Sequence, residues 1–104
     1  MPATLTVIWW RDIPAQVIAK DARASSKIVL HPRFQVAIDR AALKSGRREM
    51  DAYIGEWRKE QRPCGPDLQR EARDEADRLE GHYTKGVLAA IATAGGVDAS
   101  KAHE

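Results

Sequence analysis

Two adjacent tryptophans end the run Leu5–Trp10, which is rich in β-branched and aromatic residues. Such a run is typical of a β-strand. Pro14 interrupts the pattern and Val17–Ile18 resumes it. Proline fixes its own φ and disfavours helix at the residue before it. The segment Arg11–Pro14 is therefore predicted to be the turn of a β-hairpin.

The two tryptophans lie on opposite faces of the first strand because side chains alternate along a strand. A sheet with one solvated face is usually polar on that face. The strand is therefore either central or has its second face covered. Two interpretations stay open. The rings are buried core residues, or Trp10, with Arg11 beside it, contacts a dimer mate, another partner or a ligand.

Length and composition predict one domain over residues 1–96, followed by a flexible tail at 97–104. A chain of 104 residues supports one modest core. It contains no apolar run of about 20 residues that could cross a bilayer, and no basic-then-apolar leader, which predicts a cytoplasmic protein without a membrane partner. The single cysteine excludes an internal disulfide framework, and a net charge of +2 is too small to indicate nucleic acid by itself.

A first helix is predicted between His31–Pro32 and Ser45–Gly46, since proline suits the first helical position and glycine the C-terminal stop. Before it, Asp21–Ser26 has loop composition, and Lys27–Leu30 is either extended or leads into the helix. Apolar residues recur between the two ends at helical spacing; they are Phe34, Ala37, Ile38, Ala41 and Ala42.

The second half of the chain predicts a third strand and one long helix. Ala52–Arg58 has a β-type pattern, and Pro63–Pro66 forces a turn. Apolar residues then alternate steps of three and four over Leu68–Ala94, which predicts one amphipathic helix or two in line. A bend is expected near Gly81, and Gly95–Gly96 ends the pattern.

These elements predict an α+β fold of order β-β-α-β-α, with a three-stranded antiparallel sheet in strand order 2-1-3 and two helices on one face. The other face would carry a set of side chains too apolar for water, which predicts self-association into a homo-oligomer. That set is drawn from Ile8, Trp10, Ile18, Tyr53 and Trp57.

Five segments, Thr6–Val17, Arg33–Phe34, Ala37–Ala42, Glu56–Arg58 and Pro63–Gly65, resemble the small bacterial "virulence factor" domain family. The resemblance implies a bacterial, cytoplasmic domain, free-standing or joined to HEAT-like repeats. For α-proteobacterial members it also implies that the gene is associated in the genome with genes for corrinoid- and folate-linked methyl-transfer proteins. It implies no catalytic residues, because the family name records a phenotype.

Cys64 has the most distinctive reactive setting in the sequence. It precedes a predicted helix start, where unsatisfied N–H groups favour a thiolate, and Arg62 would act in the same direction. However, no second cysteine could resolve an oxidised form. A structural cysteine and a thiol-dependent redox or transfer residue both remain open.

Other chemistry has little support. His31, His82 and His103 have no metal-ligand spacing, so neither a metal nor another cofactor is predicted. No glycine-rich phosphate loop follows a strand. Single-stranded nucleic acid could stack on an aromatic sheet face, but the acid-rich last helix and the nearly balanced charge disfavour it.

The sequence therefore predicts a non-catalytic interaction or accessory module with an unidentified protein partner. Its predicted contact surface consists of Trp10, Arg11, Tyr53, Trp57 and Arg58.

Overall fold

The computed structural model describes residues 3–46 and 49–98. Within them it has an α+β fold, in which a four-stranded antiparallel sheet of order β3-β2-β1-β4 is combined with helices. In chain order the elements are β1 (Ala3–Trp10), β2 (Ile13–Lys20), β3 (Ser25–Val29), α1 (Pro32–Ser45), α2 (Met50–Gly55), β4 (Trp57–Cys64), α3 (Leu68–His82) and α4 (Lys85–Thr93).

The predicted hairpin is confirmed, since β1 pairs antiparallel with β2. Its turn is shorter than predicted, because only residues 11–12 form it and Ile13 and Pro14 already belong to β2. The register shifts where Ile8 faces Gln16 but Trp9 faces Pro14, leaving Ala15 as the extra residue of a β-bulge. Proline cannot donate to a strand ladder and is tolerated at a bulge. Pro14 therefore occupies a position that needs no N–H.

The predicted three-stranded sheet is wrong in two respects. Residues 52–55 of the predicted third strand belong to helix α2, and the strand that pairs with β1 is β4, which begins only at Trp57. A further strand, β3, extends the sheet beyond β2. The hairpin and the returning strand keep the predicted order around β1, because β4 lies beside β1 on the side away from β2.

The polar sequence of β4 explains why the sequence pattern did not predict this strand. This strand carries charged residues and Pro63 along most of its length, and it forms one edge of the sheet. Edge strands commonly carry charges and proline, which discourage pairing with other chains. The apolar pattern of the sequence therefore stops where the strand begins.

The predicted first helix is confirmed at both ends. The His31 side chain accepts a hydrogen bond from the Arg33 N–H, Pro32 is the first helical residue, and Gly46 closes the helix with φ of +75°. The predicted C-terminal helix is two helices, and they separate at Tyr83–Thr84, just beyond Gly81. The separation buries the Tyr83 ring and lets the Thr84 hydroxyl accept a hydrogen bond from the Val87 N–H.

One face of the sheet forms the core with the helices. α3 packs against β1, β2 and β3, and α1 packs against β2 and α4. On this face Glu60 and Arg62 of the edge strand β4 are exposed, while the hydrophobic sheet side chains are buried or packed against the buried core. They include Leu5, Val7, Val17, Ala19 and Ile28.

The opposite face, which we call the open face, has side chains that are partly or fully exposed apart from Thr6. Thr6 is covered by Gln61, whose Nε2 donates to the threonine hydroxyl at 3.3 Å. Away from the turn, the strand registers place twelve side chains on the open face; they are Thr4, Thr6, Ile8, Gln16, Ile18, Lys20, Ser25, Lys27, Val29, Lys59, Gln61 and Pro63.

The predicted tail at 97–104 falls largely outside the described residues, which end at Asp98. The backbone N–H of Asp98 donates to Asp12 Oδ2 at 2.7 Å, which joins this end of the chain to the hairpin turn. None of the helices in the described part of the chain is both long enough and apolar enough to cross a membrane.

Glu75 of α3 is a buried carboxylate beside β4. Arg78 donates to it through Nε at 2.9 Å, and Nη2 of Arg62 lies 3.4 Å from the same oxygen. The hydrogen bonds from Arg78, more than the charge of Arg62, hold the pKa of Glu75 below its ordinary value against the opposing effect of burial.

This lowered pKa predicts a dependence of stability on pH. A carboxyl with a lower pKa in the folded chain stabilises the fold above its unfolded pKa, and loses that contribution as pH falls through the folded value. Below the ordinary glutamate pKa of 4.5, the free energy of unfolding of the wild type should therefore decline more steeply than that of Glu75→Gln. Urea denaturation across this range measures both slopes, with Asp77→Asn on the exposed side of α3 as the control. Parallel slopes for wild type and Glu75→Gln would contradict the assignment.

Candidate interaction site

The five predicted contact residues meet at the hairpin turn. Trp10 faces Trp57 in the β1–β4 register. The Tyr53 ring lies between them, with its centroid 5.6 Å from that of Trp10 and 5.9 Å from that of Trp57. Arg11 and Arg58 flank these rings along the chain. We call these five residues, together with Asp12, Glu56, Gly95 and Gly96, the turn cluster.

Trp10 is a core residue. Its ring is fully buried, and its Nε1 donates to the Tyr53 carbonyl at 2.9 Å. Gly96 lies directly against the ring, because a Cβ at that position would stand 3.0 Å from Trp10 Cζ3. Of the two interpretations of Trp10, the geometry favours core packing, so the prediction that its ring contacts a partner has no exposed surface to support it.

Arg11 joins three segments of the chain. Its φ is +52°, in the left-handed region that side chains rarely adopt. Its Nε and Nη2 donate to Glu56 Oε2 at 2.8 and 2.6 Å, and its Nη1 donates to the Gly95 carbonyl at 2.9 Å. Its backbone N–H donates to the Glu56 carbonyl at 3.1 Å. The turn is therefore fixed both to the start of β4 and to the segment after α4.

Asp12 and Arg58 complete these connections. The Asp12 N–H donates to the Gly96 carbonyl at 2.9 Å. Arg58 Nε donates to the Arg11 carbonyl at 3.1 Å, and its guanidinium lies 5.1 Å from the centre of the Trp9 ring. Nη2 of Arg58 also lies 3.5 Å from Asp12 Oδ1. The guanidinium of Arg58 also reaches along β4, where its Nη1 lies 2.9 Å from Glu60 Oε2.

The turn cluster stabilises the fold around the hairpin turn and does not present reactive groups. Its charged side chains bind one another and backbone carbonyls, as described above, and Trp10 is enclosed. Arg11, Tyr53, Trp57 and Arg58 remain partly exposed. These four are the members of the predicted surface that a partner could reach.

Cys64 lies at the far end of β4 from the turn cluster, opposite Ala3. Burial, and then the charge of Glu71, raise the pKa of the Cys64 thiol; Arg62 acts in the opposite direction but more weakly. Glu71 is held in place, because its Oε1 accepts a hydrogen bond from the Gly65 N–H at 3.0 Å. The pKa therefore shifts in the direction opposite to the one predicted, and a neutral thiol is favoured.

The histidines do not come together. His31 caps α1, and the ring of His82 packs edge-on against Tyr83 with centroids 4.7 Å apart. His103 lies outside the described residues. Within residues 3–46 and 49–98, no three His, Cys, Asp or Glu side chains are arranged to hold a metal ion.

A base-stacking surface also finds little support in the geometry. Stacking of single-stranded nucleic acid requires exposed aromatic rings. Trp9 and Trp10 are buried, and Tyr53 and Trp57 are only partly exposed because they pack against the core.

Sequence reasoning missed the charge of the open face. Lys20, Lys27 and Lys59 all point to it, and none of the twelve side chains there is a carboxylate. Alternation along β2 would have placed Lys20 beside Ile18. The other two lysines could be added only from the registers of β3 and β4, the strands whose patterns are weakest.

Comparison with known proteins gives one match. A family model described as "Virulence factor" matches residues 8–92, which include the turn cluster except Gly95 and Gly96. No curated protein and no solved structure shows significant similarity to the chain.

The close approach of Gly96 to Trp10 predicts opposite effects for two alanine substitutions. Gly96 has φ of +95°, and an added Cβ would also stand 3.1 Å from Arg11 Cδ. Gly96→Ala should therefore destabilise the fold by about 2–4 kcal/mol through backbone strain and overpacking. Gly86→Ala, inside α4 with no atom within 4 Å of the added Cβ, should stabilise it by about 0.5 kcal/mol. Urea denaturation measures both; equal effects would exclude close packing at Gly96.

Proposed function

The chain belongs to the virulence factor family, and we propose that it is a non-catalytic interaction or accessory module that binds an acidic protein partner on its open face. The observation that carries this proposal is the charge of that face, where three lysines point outward and no carboxylate accompanies them. Complementary charge guides association and selects partners.

The open face combines this charge with apolar contact area. Ile8 and Ile18 lie on the two central strands and are partly buried, while Val29 on the β3 edge is 69% exposed. Aliphatic side chains supply desolvation energy at the centre of an interface, and charges at its rim contribute to selectivity. This composition suits a partner with a small apolar ridge flanked by carboxylates.

The lysines are spread across the sheet. Lys59 is on the β4 edge beside Ile8, and Lys27 is on the β3 edge beside Ile18. Strands are about 4.8 Å apart, so the three strand spacings alone separate these two positions by roughly 14 Å, and an offset of two residues along the strands adds to this. A single small anion would not bridge them, whereas a protein surface with several carboxylates would.

The family resemblance also indicates where to look for the partner. We propose that it belongs to the corrinoid- and folate-linked methyl-transfer proteins of a bacterial cytoplasm. An accessory role in such a system needs no catalytic group in this chain. This agrees with the turn cluster, where the charged side chains bind one another and backbone groups.

Affinity purification of the tagged protein from its native bacterium tests this proposal. The tagged chain is compared with Lys20→Glu/Lys59→Glu and with the control Arg70→Glu/Arg73→Glu, which reverses the same number of charges on exposed positions of α3. A co-purified protein with an acidic surface should be lost from the first variant and kept by the control. With the partner purified, calorimetry should show at least about tenfold weaker binding for the open-face variant. Partners retained equally by both variants would reject the open face as the docking surface.

Self-association through the same face is a second candidate. The apolar side chains of Ile8, Ile18 and Val29 share that face and favour it. Its lysines oppose it, because two copies meeting face to face would bring like charges together.

Salt separates the two candidates. Raising the salt from about 0.1 M to about 1 M shortens the screening length from about 10 Å to about 3 Å. Self-association should then strengthen, as the lysine repulsion is screened, while binding to an acidic partner should weaken. Sedimentation velocity across this range, with Ile18→Lys as the disrupting variant, measures the oligomeric state. A monomer at every salt concentration, up to the highest protein concentration reached, would exclude the homo-oligomer.

A further inference from the structure

A second basic surface lies between α1 and α4 and shares no residue with the open face. The two helices pack side by side and leave an elongated groove of about 320 Å³. Its apolar lining consists of small and medium side chains; these are Val36, Ala37, Leu88, Ala89 and Ala92. Val36 is 48% exposed, although it is aliphatic.

Cations line this groove on both helices. Arg33 and Arg40 come from α1 and Lys85 from α4. The groove continues along α1 into a further concavity of about 190 Å³ that Arg40 and Lys44 line with residues of α4. Neither part is lined by a carboxylate.

Three of these cations are available to a ligand. Arg40, Lys44 and Lys85 are exposed and form no ion pair within residues 3–46 and 49–98. Arg33 is held at the end of the groove, where its Nη2 donates to the Glu80 carbonyl at 2.8 Å. The nearest acid along α1, Asp39, borders a different concavity and accepts a hydrogen bond from Gln35 Nε2 at 2.9 Å.

The spacing of the cations follows one face of α1. Arg33, Arg40 and Lys44 are separated by steps of seven and four residues, which keep them on the same side of a helix. At 1.5 Å per residue this row is roughly 16 Å long, or about three helical turns. Alanines line the groove between the helices, and their small side chains let the backbone of an incoming element come close.

From this arrangement we propose that the α1–α4 groove binds an acidic amphipathic helix of about three turns. Small apolar side chains at i, i+3, i+4 and i+7 of that helix fill the alanine-lined floor, which is the usual pattern of helix-in-groove recognition. Its carboxylates, on either side of the apolar stripe, pair with Arg40 and Lys44 on one wall and with Lys85 on the other. The partner is acidic because the groove itself has no carboxylate.

Other ligands fit this groove less well. The cations of the groove are spread over roughly 16 Å. A small carboxylate or phosphate would therefore contact only one or two of them and would leave the apolar floor uncovered. A nucleic-acid strand would satisfy the cations, but its bases require aromatic rings for stacking, and no aromatic residue lines the groove. An amphipathic helix uses both the charge and the floor.

Fluorescence anisotropy of labelled peptides tests this inference. The probes are a small set of 14-residue peptides that carry alanine and leucine on one helical face and glutamate on the flanks. Each is matched by a scrambled peptide of the same composition, which cannot form an apolar stripe, and a labelled single-stranded oligonucleotide is the third probe. We expect the amphipathic peptides to bind at least about tenfold more tightly than their scrambled versions.

Two charge-reversal variants locate the binding. Arg40→Glu/Lys85→Glu changes both walls of the groove and should weaken peptide binding at least tenfold. Lys20→Glu/Lys59→Glu changes the charge of the open face by the same amount and should leave peptide binding unchanged. Failure of this inference and failure of the proposed function are therefore distinguishable. Circular dichroism and thermal melts verify that both variants fold. No binding by any amphipathic peptide, equal binding of the scrambled peptides, tighter binding of the oligonucleotide, or equal loss in both variants would each overturn the inference.

Discussion

The contacts of Arg11 determine how the rest of this structure is assembled. A two-residue turn would ordinarily connect only β1 and β2, but the guanidinium of Arg11 also binds Glu56 before β4 and the Gly95 carbonyl after α4. One side chain thus links three segments that are distant in sequence. Hydrogen bonds that involve a charged group are stronger than those between neutral groups. The Arg11 guanidinium forms them with the Glu56 carboxylate and the Gly95 carbonyl. The left-handed backbone of Arg11 is the strained conformation that these bonds maintain.

The buried tryptophans follow from this arrangement. With the start of β4 and the segment after α4 fixed to the turn, Trp10 is enclosed by Tyr53 and Gly96. Trp9 packs on the other side against Tyr83, with ring centroids 6.0 Å apart. The end of β1 is therefore covered on both faces. Toward its start, β1 has only one covered face, and the other is left as the open face.

The sequence predicted the elements whose physical signals are local. The hairpin and α1 were found because proline, glycine and helical spacing mark their ends within a few residues. The meeting of Trp10, Tyr53 and Trp57 was also predicted, although the strand assigned to Tyr53 was wrong. β3 and β4 were missed or misplaced because edge strands need no apolar alternation. Their position depends on pairing, and β4 pairs with residues of β1 up to 61 positions away in the chain, as Ala3 opposite Cys64 shows. The pKa of Cys64 was predicted in the wrong direction because burial and Glu71 outweigh Arg62.

The small net charge of +2 conceals an uneven distribution of charges over the surface. Acidic residues are concentrated on α3, where five of its fifteen residues are Asp or Glu. Several of them pair with arginines of the same helix. The open face and the α1–α4 groove carry cations without such partners. A protein with nearly balanced total charge can therefore present two basic surfaces, which we propose as docking sites. The composition of the chain conceals them because the acids that balance their charge lie outside both surfaces.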